Sequence, residues 1–207
     1  MQARTERFEV AGPAGKLQAQ RDEPLDAAPR GTAVIAHPHP LFGGTMHNKV
    51  AYTLARAFVQ AGWVAVRFNF RGTDQSEGVH DEGRGEVDDM LAVIEQTAPQ
   101  GPLALAGFSF GACVTTHVVT ALAGKRELQG LVLVGTSTER SPAATVPPEL
   151  HERTLVVHGE HDETVALASV LDWARPQTLP VTVVPGAEHF FHGQLPLLKN
   201  LVIRHLR

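Results

Sequence analysis

A serine lies between two glycines where an apolar run meets an apolar helical segment. Residues 103–106 are apolar and lead into the string GFSFG at 107–111, and no formally charged residue occurs from Gln96 to Gly124. G-x-S-x-G is typical of a nucleophile elbow, a sharp strand-to-helix turn that exposes a hydroxyl group. The glycines remove side chains that would clash in this strained turn, and the helix start directs N–H groups at the site. Ser109 is therefore a candidate nucleophile.

A serine hydroxyl becomes a good nucleophile only when a base takes its proton, and a third group must orient that base. Two later apolar runs are followed by suitable residues. One continues into HGEHD, which ends at Asp162, and the other into PGAEH, which ends at His189. The order Ser109, Asp162, His189 is one of the known orders of a serine–acid–histidine triad. Glu160 and Glu163 flank the acid, and we expect them to lie on an exposed turn.

The elements that must position these residues alternate along the chain. Two short antiparallel strands are predicted at 7–10 and 16–20, around a Gly-Pro-Ala-Gly turn. Apolar runs and segments of helical periodicity then follow one another. The strands are predicted at 32–36, 64–68, 103–106, 131–134, 155–157 and 181–184, and the helices at 50–61, 87–94, 109–123, 165–173 and 196–206. This pattern predicts one α/β domain over 1–207, with a mostly parallel sheet covered by helices on both faces. Functional residues are then expected at the carboxyl ends of the strands.

Composition excludes several classes of function. The 207 residues carry 18 basic and 22 acidic side chains, a net charge of -4, which is unlike the basic excess of a nucleic-acid binder. The single cysteine, Cys113, excludes an intramolecular disulfide framework and suits a reducing cytosol. The uncharged stretch 96–124 is interrupted by prolines and glycines, and charges near the start do not fit a signal peptide. We therefore expect a cytoplasmic protein that binds neither nucleic acid nor a membrane.

Eleven histidines raise the alternative of a metal site. The candidate ligands would be His37, His39, His158, His161, His189 and His192. Prolines follow the first two of these histidines, and no ligand pair lies on one face of a predicted helix. We therefore expect no metal and no other cofactor.

Several longer strings resemble a known family over nearly the whole chain. They are HPHPLFGGTM at 37–46, RFNFRG at 67–72, GRGEVDD at 83–89, the elbow, and HFFHG at 189–193. In these strings the sequence resembles the lidless bacterial branch of the α/β-hydrolase superfamily, a branch of small serine carboxylesterases. The resemblance implies that Ser109 is the nucleophile, Asp162 the acid and His189 the base. It also implies an α/β-hydrolase fold.

An acyl-transfer site further needs two N–H groups directed at the oxyanion. One is expected from Phe110, the residue after the nucleophile. The other should come from the loop at 37–44, where the two prolines are excluded because they have no N–H. His39 and Leu41 both remain as candidates.

The region where this fold commonly inserts a lid is short here. Only about 20 residues separate the runs 131–134 and 155–157, which is less than an independent domain needs. Without a cap domain, an open site suits small or short-chain acyl esters, hydrolysed through an acyl-enzyme on Ser109. Because the base must start neutral, activity should fall at acidic pH. The sequence leaves open thioester or peptide cleavage by the same triad, an inactive interaction protein on the same fold, and the oligomeric state.

Overall fold

A computed structural model describes residues 3–25, 27–139 and 142–207 of the chain. Its strands form one eight-stranded sheet in the order β1-β2-β4-β3-β5-β6-β7-β8. Their bounds are β1 Ala3–Gly12, β2 Gly15–Pro24, β3 Thr32–Ala36, β4 Val64–Phe68, β5 Leu103–Phe108, β6 Leu128–Val134, β7 Thr154–Gly159 and β8 Val181–Val184. The strands β3 to β8 pair in parallel, whereas β2 pairs antiparallel with both β1 and β4. This confirms the predicted fold class, a mostly parallel sheet with antiparallel strands at the start.

Within the described ranges, five α-helices cover the sheet. They are α1 Lys49–Gln60, α2 Arg84–Thr97, α3 Phe110–Leu122, α4 Leu167–Ala174 and α5 Leu195–His205. Short 3₁₀ helices occur at Pro40–Phe42, Pro148–Arg153 and Arg175–Gln177. In the portion of the chain described by the structure, no helix has both the length and the apolar character needed to cross a bilayer.

The helices bury two apolar clusters, one on each face of the sheet. On one face α2, α3 and α4 pack through residues such as Met90, Val118 and Val170, and on the other α1 and α5 pack through residues such as Leu54 and Val202. All six residues of β5 are buried because this central strand is covered on both faces. The nucleophile candidate therefore follows the most enclosed part of the sheet.

The N-terminal hairpin extends beyond its predicted strands. β1 and β2 each contain ten residues, paired from Ala3 with Pro24 to Gly12 with Gly15. Most of β1 faces solvent, so its outer residues are polar and lack the apolar pattern from which strands are predicted. On β2, by contrast, the polar residue Asp22 is buried and accepts a hydrogen bond from Arg67 Nη2 on β4 at 2.9 Å.

The connection between β6 and β7 is short. In its described parts, 135–139 and 142–153, the 3₁₀ helix Pro148–Arg153 is the only regular element. This agrees with the prediction that no cap domain is inserted between these strands.

Candidate active site

Ser109 occupies the turn between β5 and α3. Its backbone has φ 57° and ψ -117°, a conformation that non-glycine residues rarely adopt. The neighbouring glycines are required by close backbone contacts. A Cβ atom on Gly107 would lie 2.4 Å from the carbonyl oxygen of Gly111, and one on Gly111 would lie 2.4 Å from that of His37. The elbow therefore packs directly against the loop that follows β3.

The structure brings the three predicted triad residues into one hydrogen-bonded chain. His189 Nε2 lies 3.0 Å from Ser109 Oγ, and His189 Nδ1 lies 2.6 Å from Asp162 Oδ2. The three residues follow β5, β7 and β8 and are all buried. Their meeting follows from the sheet, because parallel strands present their carboxyl ends at one edge.

Asp162 is held by its own loop as well as by the histidine. Its Oδ1 accepts hydrogen bonds from the N–H groups of Thr164 and Val165 at 2.9 and 2.8 Å, which leaves Oδ2 for His189. Burial acts to raise the pKa of Asp162, but the hydrogen bonds from His189 and Val165 outweigh it, so the pKa is lowered. The carboxylate is therefore ionised at neutral pH. The flanking glutamates, Glu160 and Glu163, are exposed, as expected.

The histidine ring is enclosed by residues that sequence reasoning did not single out. Phe108 and Phe190 pack against the ring of His189 with centroid distances of 4.8 and 5.0 Å. Gly135 lies beneath the ring, where an added Cβ would be 3.2 Å from Cε1 of His189. Phe108 directly precedes Ser109 in the sequence, which indicates that its side chain lies near the histidine. The contact between Gly135 and His189, in contrast, arises only in the folded chain.

His158 contacts the turn that carries Asp162. It is fully buried at the end of β7, and its Nε2 lies 2.9 Å from the carbonyl oxygen of Val165 and 3.5 Å from Asp162 Oδ2. Burial lowers the pKa of His158, so the ring is neutral and donates through Nε2–H. Both ends of the turn 162–165 are therefore fixed by hydrogen bonds.

The oxyanion-donor candidates occupy different positions. Phe110 is the first residue of α3, so its N–H has no acceptor within the helix. The N–H of Leu41 donates to Nδ1 of His39 at 3.3 Å, and the Leu41 side chain is 69% exposed. His39 borders the cavity that contains Ser109.

The loop that follows β3 is anchored in the core at both ends. His37 is fully buried, with Nδ1 2.6 Å from the Pro38 carbonyl oxygen and Nε2 accepting from the N–H of Phe70 at 3.0 Å. At the other end, Met46 donates its N–H to Asn69 Oδ1 and accepts from Arg67 Nη1, both at 2.8 Å. These bonds fix the loop beside the serine.

Among the described residues, no three His, Cys, Asp or Glu side chains are grouped where they could hold a metal ion. Both ring nitrogens of His37 and His189 lie within hydrogen-bond distance of protein atoms. His161 and His192 are exposed and lie beside Glu160 and Glu188.

A cavity of about 360 Å³ opens above Ser109. It is bordered by the loop 38–44 on one side and by the turn 162–165 and Phe190 on the other; the bordering residues include His39, Phe42, Thr164 and His189. A hydroxyl, a base, an ionised acid and candidate N–H donors thus meet at one cavity, an arrangement capable of acyl transfer.

Comparison with known proteins gives the family. Residues 27–150 match the family model described as serine aminopeptidase, S33. A crystal structure from Xanthomonas campestris, described as an α/β serine hydrolase without lid, superposes with a TM-score of 0.88 at 35% identity, covering 98% of this chain and 94% of that chain. The chain belongs to the α/β serine hydrolases.

Two further similarities concern this hydrolase. An α/β serine hydrolase homologue from Coxiella burnetii is 38% identical, with a TM-score of 0.83 over 98% of this chain and 97% of that chain. An uncharacterized protein of Rickettsia prowazekii (strain Madrid E) is 37% identical over 113 residues, or 52% of this chain. This chain spans about half of that relative, 47% of its length. The segment matched by the family model contains Ser109, whereas Asp162 and His189 follow that segment in the sequence.

Proposed function

We propose that the protein is a serine carboxylesterase that hydrolyses small or short-chain acyl esters through an acyl-enzyme on Ser109. The observation that carries the proposal is the hydrogen-bonded chain from Ser109 Oγ through His189 to Asp162, with distances of 3.0 and 2.6 Å. In this proposal Ser109 is the nucleophile, His189 the base and Asp162 the acid that orients it.

In the first half of the reaction, His189 Nε2 takes the proton of Ser109 while the oxygen attacks the ester carbonyl carbon. Asp162 stabilises the imidazolium through Nδ1–H. When the tetrahedral intermediate collapses, the bond to the alcohol oxygen breaks and His189 gives its proton to the departing alcohol. In the second half, His189 takes a proton from water while the water oxygen adds to the acyl carbon. When this second intermediate collapses, the bond to Ser109 Oγ breaks, the carboxylic acid product leaves, and His189 returns the proton to Ser109.

The oxyanion would be held by the N–H groups of Phe110 and His39. Phe110 is supported by its place at the start of α3. His39 is supported over Leu41 because the Leu41 N–H already donates to the His39 ring, and because His39 borders the catalytic cavity. In acyl-transfer enzymes, removal of one such donor lowers kcat by about 10²- to 10³-fold.

A second candidate, an aminopeptidase, is favoured by one observation. Glu139 borders the catalytic cavity, where its carboxylate could pair with a substrate's amino terminus. The matched family model is also described as serine aminopeptidase. Hydrolysis of alanine p-nitroanilide distinguishes the two candidates. The esterase proposal expects hydrolysis of p-nitrophenyl butyrate and no measurable release of p-nitroaniline, whereas release that is lost in Ser109→Ala would favour the peptidase.

Labelling with a fluorophosphonate tests the nucleophile directly. We expect the wild-type protein to take up one label per chain and to hydrolyse p-nitrophenyl butyrate, and Ser109→Ala to do neither. Ser137→Ala is the matched control, because Ser137 borders the same cavity, whereas the hydroxyl that lies 3.0 Å from His189 Nε2 is that of Ser109. The control should retain the label. Equal labelling of Ser109→Ala and wild type would overturn the assignment of Ser109.

A further inference from the structure

A second and larger cavity adjoins the catalytic one. We call it the side groove: it has a volume of about 960 Å³ and lies between α3 and the start of α2. His39, Phe42 and Phe110 border both cavities, so these three residues form the partition between them. Phe42 is 71% exposed, and the partition is therefore open towards solvent. A substrate bound at Ser109 can extend across it.

The partition and the adjoining wall are built from rings. The ring of His39 lies 4.7 Å from that of Phe110, 4.8 Å from that of Phe42 and 4.8 Å from that of His80, measured between centroids. All four rings border the side groove. An aromatic pair at such a distance contributes about 0.5 to 1.5 kcal/mol of stabilisation beyond that from its buried apolar surface. This wall therefore favours a ligand that carries an aromatic ring.

Much of the rest of the side groove is apolar, although Glu82, His117 and Thr120 also border it. Val87 and Val114 contribute aliphatic surface, while burial raises the pKa of the Cys113 thiol to about 12 and so keeps it uncharged. At the rim, Arg84 Nη2 lies 3.1 Å from Asp81 Oδ1, and His80 Nδ1 lies 2.7 Å from the buried carboxylate of Glu86. Because Arg84 is already paired and Glu82 is acidic, an apolar group fits this lining better than an anionic one.

The position of the base indicates which part of an ester faces the side groove. The alcohol oxygen must receive a proton from His189 Nε2, and His189 borders the catalytic cavity. The side groove is bordered instead by residues of 39–42, 80–87, 110–121 and by Pro142. It begins at the side chain of Phe110, whose N–H is the proposed oxyanion donor. The acyl substituent, which points away from the departing alcohol, is therefore the part directed towards the groove.

We propose that the side groove is an acyl subsite that binds an apolar, ring-bearing acyl group, so that the preferred substrates are small esters of arylalkanoic acids. This inference rests on the proposed esterase function and specifies its substrate class.

Two isomeric esters test this inference on the wild-type protein. Ethyl 3-phenylpropanoate carries its ring on the acyl side, and 3-phenylpropyl acetate carries it on the alcohol side. We expect kcat/KM to be higher for the first isomer by at least about tenfold, as burial of one aromatic ring against stacked rings allows. Equal rates, or faster hydrolysis of the acetate, would overturn the acyl subsite.

A variant that fills the side groove gives a second measurement. Val87→Trp should reduce the preference for ethyl 3-phenylpropanoate over ethyl butyrate by about tenfold, because the new ring occupies the place of the substrate's ring. Ala123→Trp is the control, since Ala123 is exposed and borders a different cavity at the far end of α3. The preference of this control for ethyl 3-phenylpropanoate over ethyl butyrate should equal that of the wild type. Should Val87→Trp not fold, the comparison of the two isomers still decides the question.

The outcomes separate the two proposals. Hydrolysis of ethyl butyrate that depends on Ser109, together with no preference between the isomers, would leave the esterase proposal standing and remove the acyl subsite. If none of the three esters is hydrolysed and the fluorophosphonate does not label Ser109, the esterase proposal fails and the acyl subsite fails with it.

Discussion

The backbone N–H of Phe70 donates to Nε2 of His37 across 3.0 Å, in the interior of the protein. Nδ1 of the same ring donates to the carbonyl oxygen of Pro38. Each ring nitrogen thus has one partner, and a second proton would have to bind where the N–H of Phe70 already points. Burial lowers the pKa of His37 to about 4. This histidine stays neutral and joins the loop beside the serine to the end of β4.

The first prediction is a loss of stability in acid that depends on His37. The unfolded chain binds a proton at His37 below a pKa of ~6.5, whereas the folded chain does so only below about 4, so stability falls as pH falls through this window. The His37 contribution should be about 2 to 3 kcal/mol between pH 7 and about pH 4.5. Urea unfolding at several pH values measures it.

The variant His37→Asn removes this titration, so its free energy of unfolding should decline less steeply between neutral and acidic pH than that of the wild type. The control is His161→Asn, because the side chain of His161 is 70% exposed. The control should follow the wild-type slope. A slope for His37→Asn as steep as that of the wild type would contradict the prediction.

The second prediction concerns Asp162. In Asp162→Asn the amide can donate to Nδ1 of His189, which favours the wrong tautomer of the ring, so kcat should fall by about 10⁴. The neighbouring variant Glu163→Gln, at an exposed position, should keep kcat within about twofold of the wild type. Hydrolysis of p-nitrophenyl butyrate measures both. A loss of less than tenfold in Asp162→Asn would exclude Asp162 as the orienting acid.

The third prediction uses the strained backbone of Ser109. A non-glycine residue at φ 57° and ψ -117° costs about 1 to 3 kcal/mol, and glycine relieves part of this cost. Ser109→Gly should therefore be more stable than Ser109→Ala by about 1 kcal/mol, although both lack the hydroxyl. Urea unfolding compares them. Equal stability would mean that the turn is not strained.

The fourth prediction compares a buried ion pair with an exposed one. Arg71 donates through Nη2 and Nε to the fully buried carboxylate of Asp89, at 2.7 and 3.0 Å, and this pair joins the loop after β4 to α2. Asp89→Asn should lower the free energy of unfolding by about 3 kcal/mol, because the guanidinium loses its charged partner while largely buried.

The matched control for this pair is Asp172→Asn, which removes a surface partner of Arg175. It should change the free energy of unfolding by less than about 1 kcal/mol, because both side chains are about 70% exposed. Equal effects of the two substitutions in urea unfolding at neutral pH would refute the structural importance of Arg71 and Asp89.

Much of the framework could be predicted from residue patterns. The strands Thr32–Ala36, Val64–Phe68 and Val181–Val184 have the predicted bounds, because each is a short and mostly apolar run in the parallel part of the sheet. The start of α2 was predicted three residues late, at Val87. Its first turn is polar and is fixed by Glu86, which accepts a hydrogen bond from the N–H of Gly83 at 2.8 Å.

Other features depend on contacts that no pattern along the chain contains. The choice between His39 and Leu41 depends on whether the His39 ring folds back onto the Leu41 N–H, which is a property of the loop conformation. The place of Gly135 beneath His189 and the side groove between α2 and α3 arise from elements that are distant in sequence. The residues that follow the strands could therefore be assigned catalytic roles from the sequence, while the shape of the cavities around them could not.

The absence of a side chain at Gly111 lets α3, the helix that follows Ser109, touch the carbonyl oxygen of His37. The Ser109 hydroxyl and the loop after β3 are consequently coupled, and neither can shift without the other. Adaptation to new substrates is then confined to the periphery, where exposed residues such as Leu41 and Phe42 can be exchanged at little cost in folding. Libraries intended to redirect selectivity should be built at these two positions, with the turn itself left unaltered.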